Sequence, residues 1–137
     1  MKKTVLNILL FLTLIFSLTG CTSSVEYDSV KNYADNITSE VLTSINNLDY
    51  DSFSSYLSDE MKASYDLGTF QKETIQIGND FGSFKSLSFY GGQEKSGYVN
   101  LIYDVVYSNC DDVRISISFK KDDSEHKVYQ LYFASLD

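Results

Sequence analysis

Asp104 is the side chain in this sequence best placed for acid–base chemistry. It stands among Tyr98, Tyr103 and Tyr107, and a carboxyl group beside phenols in a hollow can move protons once its pKa nears the working pH. Tyr33, Phe53, Tyr103, Tyr107, Tyr129 and Phe133 form a second set, one that supplies ring faces and hydroxyls for a pocket. A free tyrosine ionises only near about pH 10, so these residues suit binding better than proton transfer. The one basic residue near that face is Lys85. His126 is isolated in a charged turn, and a lone imidazole is no metal site. Asp122, Asp123 and Glu125 lack the spacing and the glycine of a calcium loop. No phosphate-cradling glycine loop and no nucleophile elbow is present. Two thiols remain. Cys110 adjoins Asp111 and Asp112, with no cation beside it to activate a thiolate. Cys21 follows Thr19 and Gly20, small residues that fit a peptidase cleft, and a thiolate is the nucleophile that forms stable thioethers.

Elements must position these groups. Val30, Tyr33, Ala34, Ile37, Val41, Ile45 and Leu48 recur at helical spacing, which predicts an amphipathic helix ending at Asn46-Asn47. Asp49 is the expected cap of a short second helix, Ser58 of a third and Thr69 of a fourth. Beyond Gly82 the apolar period becomes two, the signature of strands with one dry face. Strands are expected at 84–90, 98–107, 113–119 and 127–134, with Gly91-Gly92 and later Gly97 as turn signals between the first two. Tyr107 is expected opposite Val113, and Phe119 opposite Tyr129. Odd-numbered residues then share the dry side, because a slip of one residue would send the apolar set into water. The wet side would carry Asp104 diagonal to Arg114, an ion pair worth little at a surface. It would also carry Tyr98, Ile102, Val106, Val128 and Tyr132, apolar enough to mark an interface. Helices followed by a four-stranded antiparallel meander make an α+β fold.

The N-terminus gives an address. Met1-Lys2-Lys3 precedes an apolar run from Val5 to Leu18. That run matches the core of an export signal, about 7–15 residues, and is short of the ~20 needed to span a bilayer. Leu18-Thr19-Gly20-Cys21 resembles the lipobox of bacterial lipoproteins. The resemblance implies cleavage between Gly20 and Cys21 and a diacylglyceryl group on the Cys21 sulfur. The expected organisation is a signal peptide over 1–20, a lipidated cysteine and linker over 21–29, and one domain over 30–137. The mature chain would sit on the outer face of the cytoplasmic membrane. Without the signal it holds 117 residues, nine of them basic and nineteen acidic, a net charge of −10. No basic patch is left for nucleic acid, and with Cys21 alkylated no internal disulfide can form.

Asp49-Tyr50-Asp51-Ser52-Phe53, Met61-Lys62, Phe70, Gly82-Ser83-Phe84-Lys85, Tyr98, Tyr107 and Leu131-Tyr132-Phe133 follow one another in order. In this order the chain resembles a small bacterial domain of unknown function in the nuclear transport factor two-like superfamily, often carried by lipoproteins. Resemblance implies a cone, a curved four-stranded sheet wrapped round the helices and open at one end. It also implies sheet-to-sheet pairing, hence a homodimer or partner surface, and it implies no activity. The family usually has glycine where this chain has Leu48. The reading that results is a non-catalytic domain binding a small apolar ligand or a protein, with no cofactor beyond the lipid. Its alternatives are a small hydrolase or isomerase using Asp104 with a tyrosine, and a lipoprotein that protects its cell.

Overall fold

The computed structural model describes residues 22–135. The chain runs β1 (Ser23–Ser24), α1 (Tyr27–Asn46), α2 (Tyr50–Ser55), α3 (Asp59–Ser64), α4 (Leu67–Phe81), β2 (Phe84–Lys95), β3 (Tyr98–Tyr107), β4 (Val113–Lys120) and β5 (Val128–Ser135). The apolar stripe of α1 buries Val30, Ala34, Val41, Leu42 and Ile45 against the sheet and the shorter helices. Beyond its end, Leu48 takes φ 58°. This left-handed conformation costs a side-chain-bearing residue about 1–2 kcal/mol, and it turns the chain sharply into α2. There the Asp49 carboxylate accepts the Ser52 N–H at 3.0 Å, and the Ser58 hydroxyl accepts the Met61 N–H at 3.2 Å. The cap of α4 is Asp66 rather than Thr69. Its carboxylate accepts the Thr69 N–H at 2.8 Å, so Gly68 lies inside the first turn.

The expected four-stranded cone is not what forms. The sheet has five antiparallel strands in the linear order β1-β2-β3-β4-β5, open at both edges. The nuclear transport factor two-like expectation is overturned by that count and by the absence of closure. Ser23 and Ser24, expected in a linker, pair with Glu94 and Gln93 and supply the fifth strand. Gly91-Gly92 is no turn. Both glycines lie within β2, where the register shifts between Phe89 and Gly91. A Cβ on Gly92 would fall 2.7 Å from Leu101, so the bare backbone lets the strands close up. The true turn is Ser96-Gly97, at φ 53° and 82°, between the paired Lys95 and Tyr98. Two positive φ values make the two-residue hairpin whose twist matches its strands.

Registers differ from expectation by even steps on one side and by a bulge on the other. Val105 faces Val113, Tyr103 faces Ile115 and Leu101 faces Ile117. That is two residues from the predicted pairing, so the odd residues of β3 still face the core. On β5 Ile117 meets Leu131 as expected, but Phe119 meets Val128, with an irregularity beside Ser118. A bulge inserts one residue and turns the side chains beyond it to the other face. The edge of β5 is partly covered: the Val128 N–H donates to the Tyr56 carbonyl at 2.8 Å, and the Ser58 N–H to the Val128 carbonyl at 2.9 Å.

Candidate functional site

The six aromatic residues expected to line one pocket are dispersed. Phe53 and Tyr103 are fully buried, Phe53 packing on Phe70 at 4.8 Å between ring centroids. The interior they were to line is filled by side chains. Tyr33 stacks on His126 at 3.8 Å and meets Phe119 edge-on. Tyr107 is buried against Phe81 and Phe84, and its hydroxyl has no hydrogen-bond partner. Phe133 lines a separate groove with Tyr65, Ile77, Phe81 and Leu131. Tyr129 is carried by the bulge to the outer face, where its ring meets Tyr98 at 5.7 Å. The same bulge buries Val128 completely, so Val128 is no part of an outer surface. Tyr98, Ile102, Val106 and Tyr132 do keep some exposure, and Tyr132 is 63 % exposed. Gly20 and Cys21 lie outside the described residues.

Asp104 stands directly opposite Arg114 rather than diagonal to it. The Arg114 Nε–H donates to its Oδ1 at 2.8 Å, and the guanidinium lies 3.7 Å over the Tyr90 ring. A second carboxylate went unnoticed in the sequence. Asp35, on α1, accepts the Tyr103 hydroxyl on Oδ1 at 2.8 Å and the Tyr27 hydroxyl on Oδ2 at 2.5 Å. Tyr27 also stacks on Phe89 at 4.2 Å. Its hydrogen bond to Asp35, with some burial, pushes the Tyr27 phenol up to about 12. Burial, then the same carboxylate, raises Tyr103 further. Both phenols are held protonated as donors, which makes Asp35 a clamp between α1 and the sheet. Only the eight-residue step from Tyr27 to Asp35 could have hinted at it, and helical periodicity alone does not reveal which tyrosine comes across from β3.

The outer face holds the more open concavity. A groove of about 470 Å³ is lined by Glu60, Lys95, Ser96, Tyr98, Asn100, Ser118, Tyr129 and Gln130. Its floor is a lateral row across three strands, Asn100–Ser118–Gln130. The Ser118 hydroxyl donates to Asn100 Oδ1 at 2.7 Å and lies 3.5 Å from Gln130 Oε1. With both amide oxygens turned to Ser118, the two amide nitrogens are left as donors. Tyr98 and Tyr129 supply ring faces at one end, and Glu60 and Lys95 one charge of each sign.

The family model described as protein of unknown function (DUF3887) matches residues 38–131, more than half of the chain. The chain belongs to the DUF3887 family. No curated protein and no solved structure matches it. The matched stretch of this DUF3887 protein contains the outer groove, the Asp104–Arg114 pair and Tyr107. Tyr27, Tyr33 and Asp35 precede it, so the Asp35 clamp has its helical half outside the region that defines the family. Among the described residues no group of three or more His, Cys, Asp or Glu side chains could hold a metal ion, and no helix is long and apolar enough to cross a membrane.

Proposed function

We propose that this DUF3887 protein is a membrane-tethered binding domain. It is held on the outer face of the cytoplasmic membrane by a diacylglyceryl group on Cys21, and it takes a neutral ligand rich in hydroxyl or amide groups in its outer groove. The observation that carries the reading is the groove itself. Aromatic faces beside a row of amide donors and a hydroxyl suit a ligand with both C–H faces and polar edges, and the single acid and single lysine leave the groove without net charge. A surrounding mature chain of net charge −10, nine basic against nineteen acidic residues, disfavours polyanions. The tether is supported by the basic start, the short apolar run and Leu18-Thr19-Gly20-Cys21. With β1 beginning at Ser23, the groove would stay near the bilayer. Binding is favoured over catalysis because Asp104, the residue an enzyme reading needs, is engaged by Arg114 on the outer face. Ile102, Val106 and Tyr132 share that face and would serve a protein partner or second copy.

Two measurements test this. Cys21→Ser should abolish incorporation of labelled palmitate and release the chain from membranes; retention of label on the variant refutes the anchor. Chitotetraose, a neutral N-acetylated saccharide, titrated into the lipidated protein in nanodiscs should shift the side-chain amide NMR signals of Asn100 and Gln130 saturably. Tyr98→Ala and Tyr129→Ala should each weaken that response several-fold. Signals that do not move, or that move equally in both variants and the parent, refute the groove as the site.

A further inference from the structure

Between the end of α1 and the second half of α4 lies a pocket of about 310 Å³, whose lining includes Ile45, Leu48, Ile75, Ile77, Gly78 and Tyr107. We propose that it binds a small neutral molecule, mostly hydrocarbon, that offers one carbonyl oxygen to the Tyr107 hydroxyl. This goes beyond the outer groove and does not depend on it.

Four observations meet here. None of the lining residues is charged, so a charged ligand would lose its hydration with nothing in return. Leu48 and Ile75 remain 60 % and 58 % exposed at the pocket, a large apolar surface for a domain with a filled core. Its volume falls at the low end of small-molecule sites, about 300–1,000 Å³. Tyr107 is only 4 % exposed, and its buried hydroxyl lacks any partner. An unpaired buried hydroxyl is costly, and a ligand carbonyl would satisfy it. Burial alone raises the Tyr107 pKa, which keeps the phenol a donor through the physiological range. Tyr107 is itself a lining residue, but its hydroxyl is shielded from water, so a carbonyl reaches it only with a shift of the side chains around it.

Gly78 provides the test. Gly78 is one of the pocket's lining residues, and a Cβ there would meet nothing within 4 Å, so a larger side chain is accommodated without a clash. Leucine at this position fills the space, and it also favours the helix over glycine, so blocking the site should not weaken the fold. The probe is Prodan, a neutral naphthalene ketone, added to the lipidated protein in nanodiscs with isoleucine methyl groups labelled for NMR. The methyl signals of Ile45, Ile75 and Ile77 should shift saturably while those of Ile115 and Ile117 stay fixed. Gly78→Leu should abolish the shifts with an unchanged or higher Tm. Tyr107→Phe should weaken binding about threefold to tenfold, the loss of one hydrogen bond. Absence of saturable shifts at these methyls, or their survival in Gly78→Leu, overturns the site. Undiminished affinity in Tyr107→Phe overturns the role given to the hydroxyl. The outer-groove amides report separately, so either site can fail without the other.

Discussion

Removing the Asp35 carboxylate should loosen the domain more than any other single change of one exposed or half-exposed polar residue. Tyr103 is fully buried, and its hydroxyl donates to Asp35 at 2.8 Å. In Asp35→Ala that hydroxyl keeps its place and loses its acceptor. A hydrogen bond to a charged group contributes about 1.5–3 kcal/mol, and an orphaned buried donor costs about 1–3 kcal/mol; these overlap rather than add. The Tyr27 hydroxyl is only part-buried, and water replaces its partner cheaply. Alanine returns about 0.5 kcal/mol as the better helix former. The net loss should be about 1.5–2.5 kcal/mol, or roughly 5–10 °C in Tm for a domain of this size. Tyr103→Phe removes the donor with its need and should cost only about 1 kcal/mol. The double variant should therefore be less damaged than the sum of the two, with a coupling of about 1 kcal/mol or more. Urea denaturation of all four proteins gives the cycle. Additive losses, or an Asp35→Ala loss under about 0.5 kcal/mol, would refute the clamp.

Leu48→Gly should raise stability by about 1 kcal/mol in thermal unfolding, because φ 58° costs leucine and the 60 % exposed side chain gives up little burial. Asp104→Asn should change stability by less than about 1 kcal/mol and leave the chitotetraose response intact, since the pair with Arg114 is partly solvated. In alkaline titration the raised phenol of Tyr27, about 12 against an ordinary 10.0, means that the protonated form is favoured by the fold. That contribution is complete below about pH 10 and is lost as pH rises toward 12. Tyr103 and Tyr107 shift in the same direction. Phenolate absorbance and loss of near-ultraviolet dichroism should rise together in that window; full ionisation of every tyrosine in a still-folded chain would contradict it.

How much of this was legible depended on how local the cause was. The α1 stripe and the caps at Asp49 and Ser58 are set by residues within a few positions of one another, and they stand where periodicity and capping put them. The dry face of β3 was readable because an even register error leaves parity intact: Tyr103 and Val105 point inward whether paired with Ile115 and Val113 or two residues further on. Parity failed on β5, where the bulge beside Ser118 exchanged the roles of Val128 and Tyr129. No residue type announces that bulge. Gly91-Gly92 misled because glycine marks both turns and tight strand crossings. β1 escaped notice because two serines have no apolar pattern to alternate. The candidate sites were least legible of all. The outer groove depends on Tyr129 being displaced, the Asp35 clamp on a contact spanning 68 residues, and the Tyr107 pocket on residues brought together from the end of α1, from α4 and from β3.

β1 sets how the domain responds to load. A pull on the N-terminus reaches the fold near Ser23, where the resistance includes the short pairing with Gln93 and Glu94, the 3.2 Å bond from Val25 to Gly92 and the packing of Val25 on the core. Those few bonds peel before α1 is disturbed, and the freed residues 23–26 lengthen the leash by about 13 Å at roughly 3.3–3.6 Å each. If Cys21 carries the proposed lipid, the strand would act as a mechanical fuse with built-in slack, letting the domain rise from the bilayer while its core stays folded.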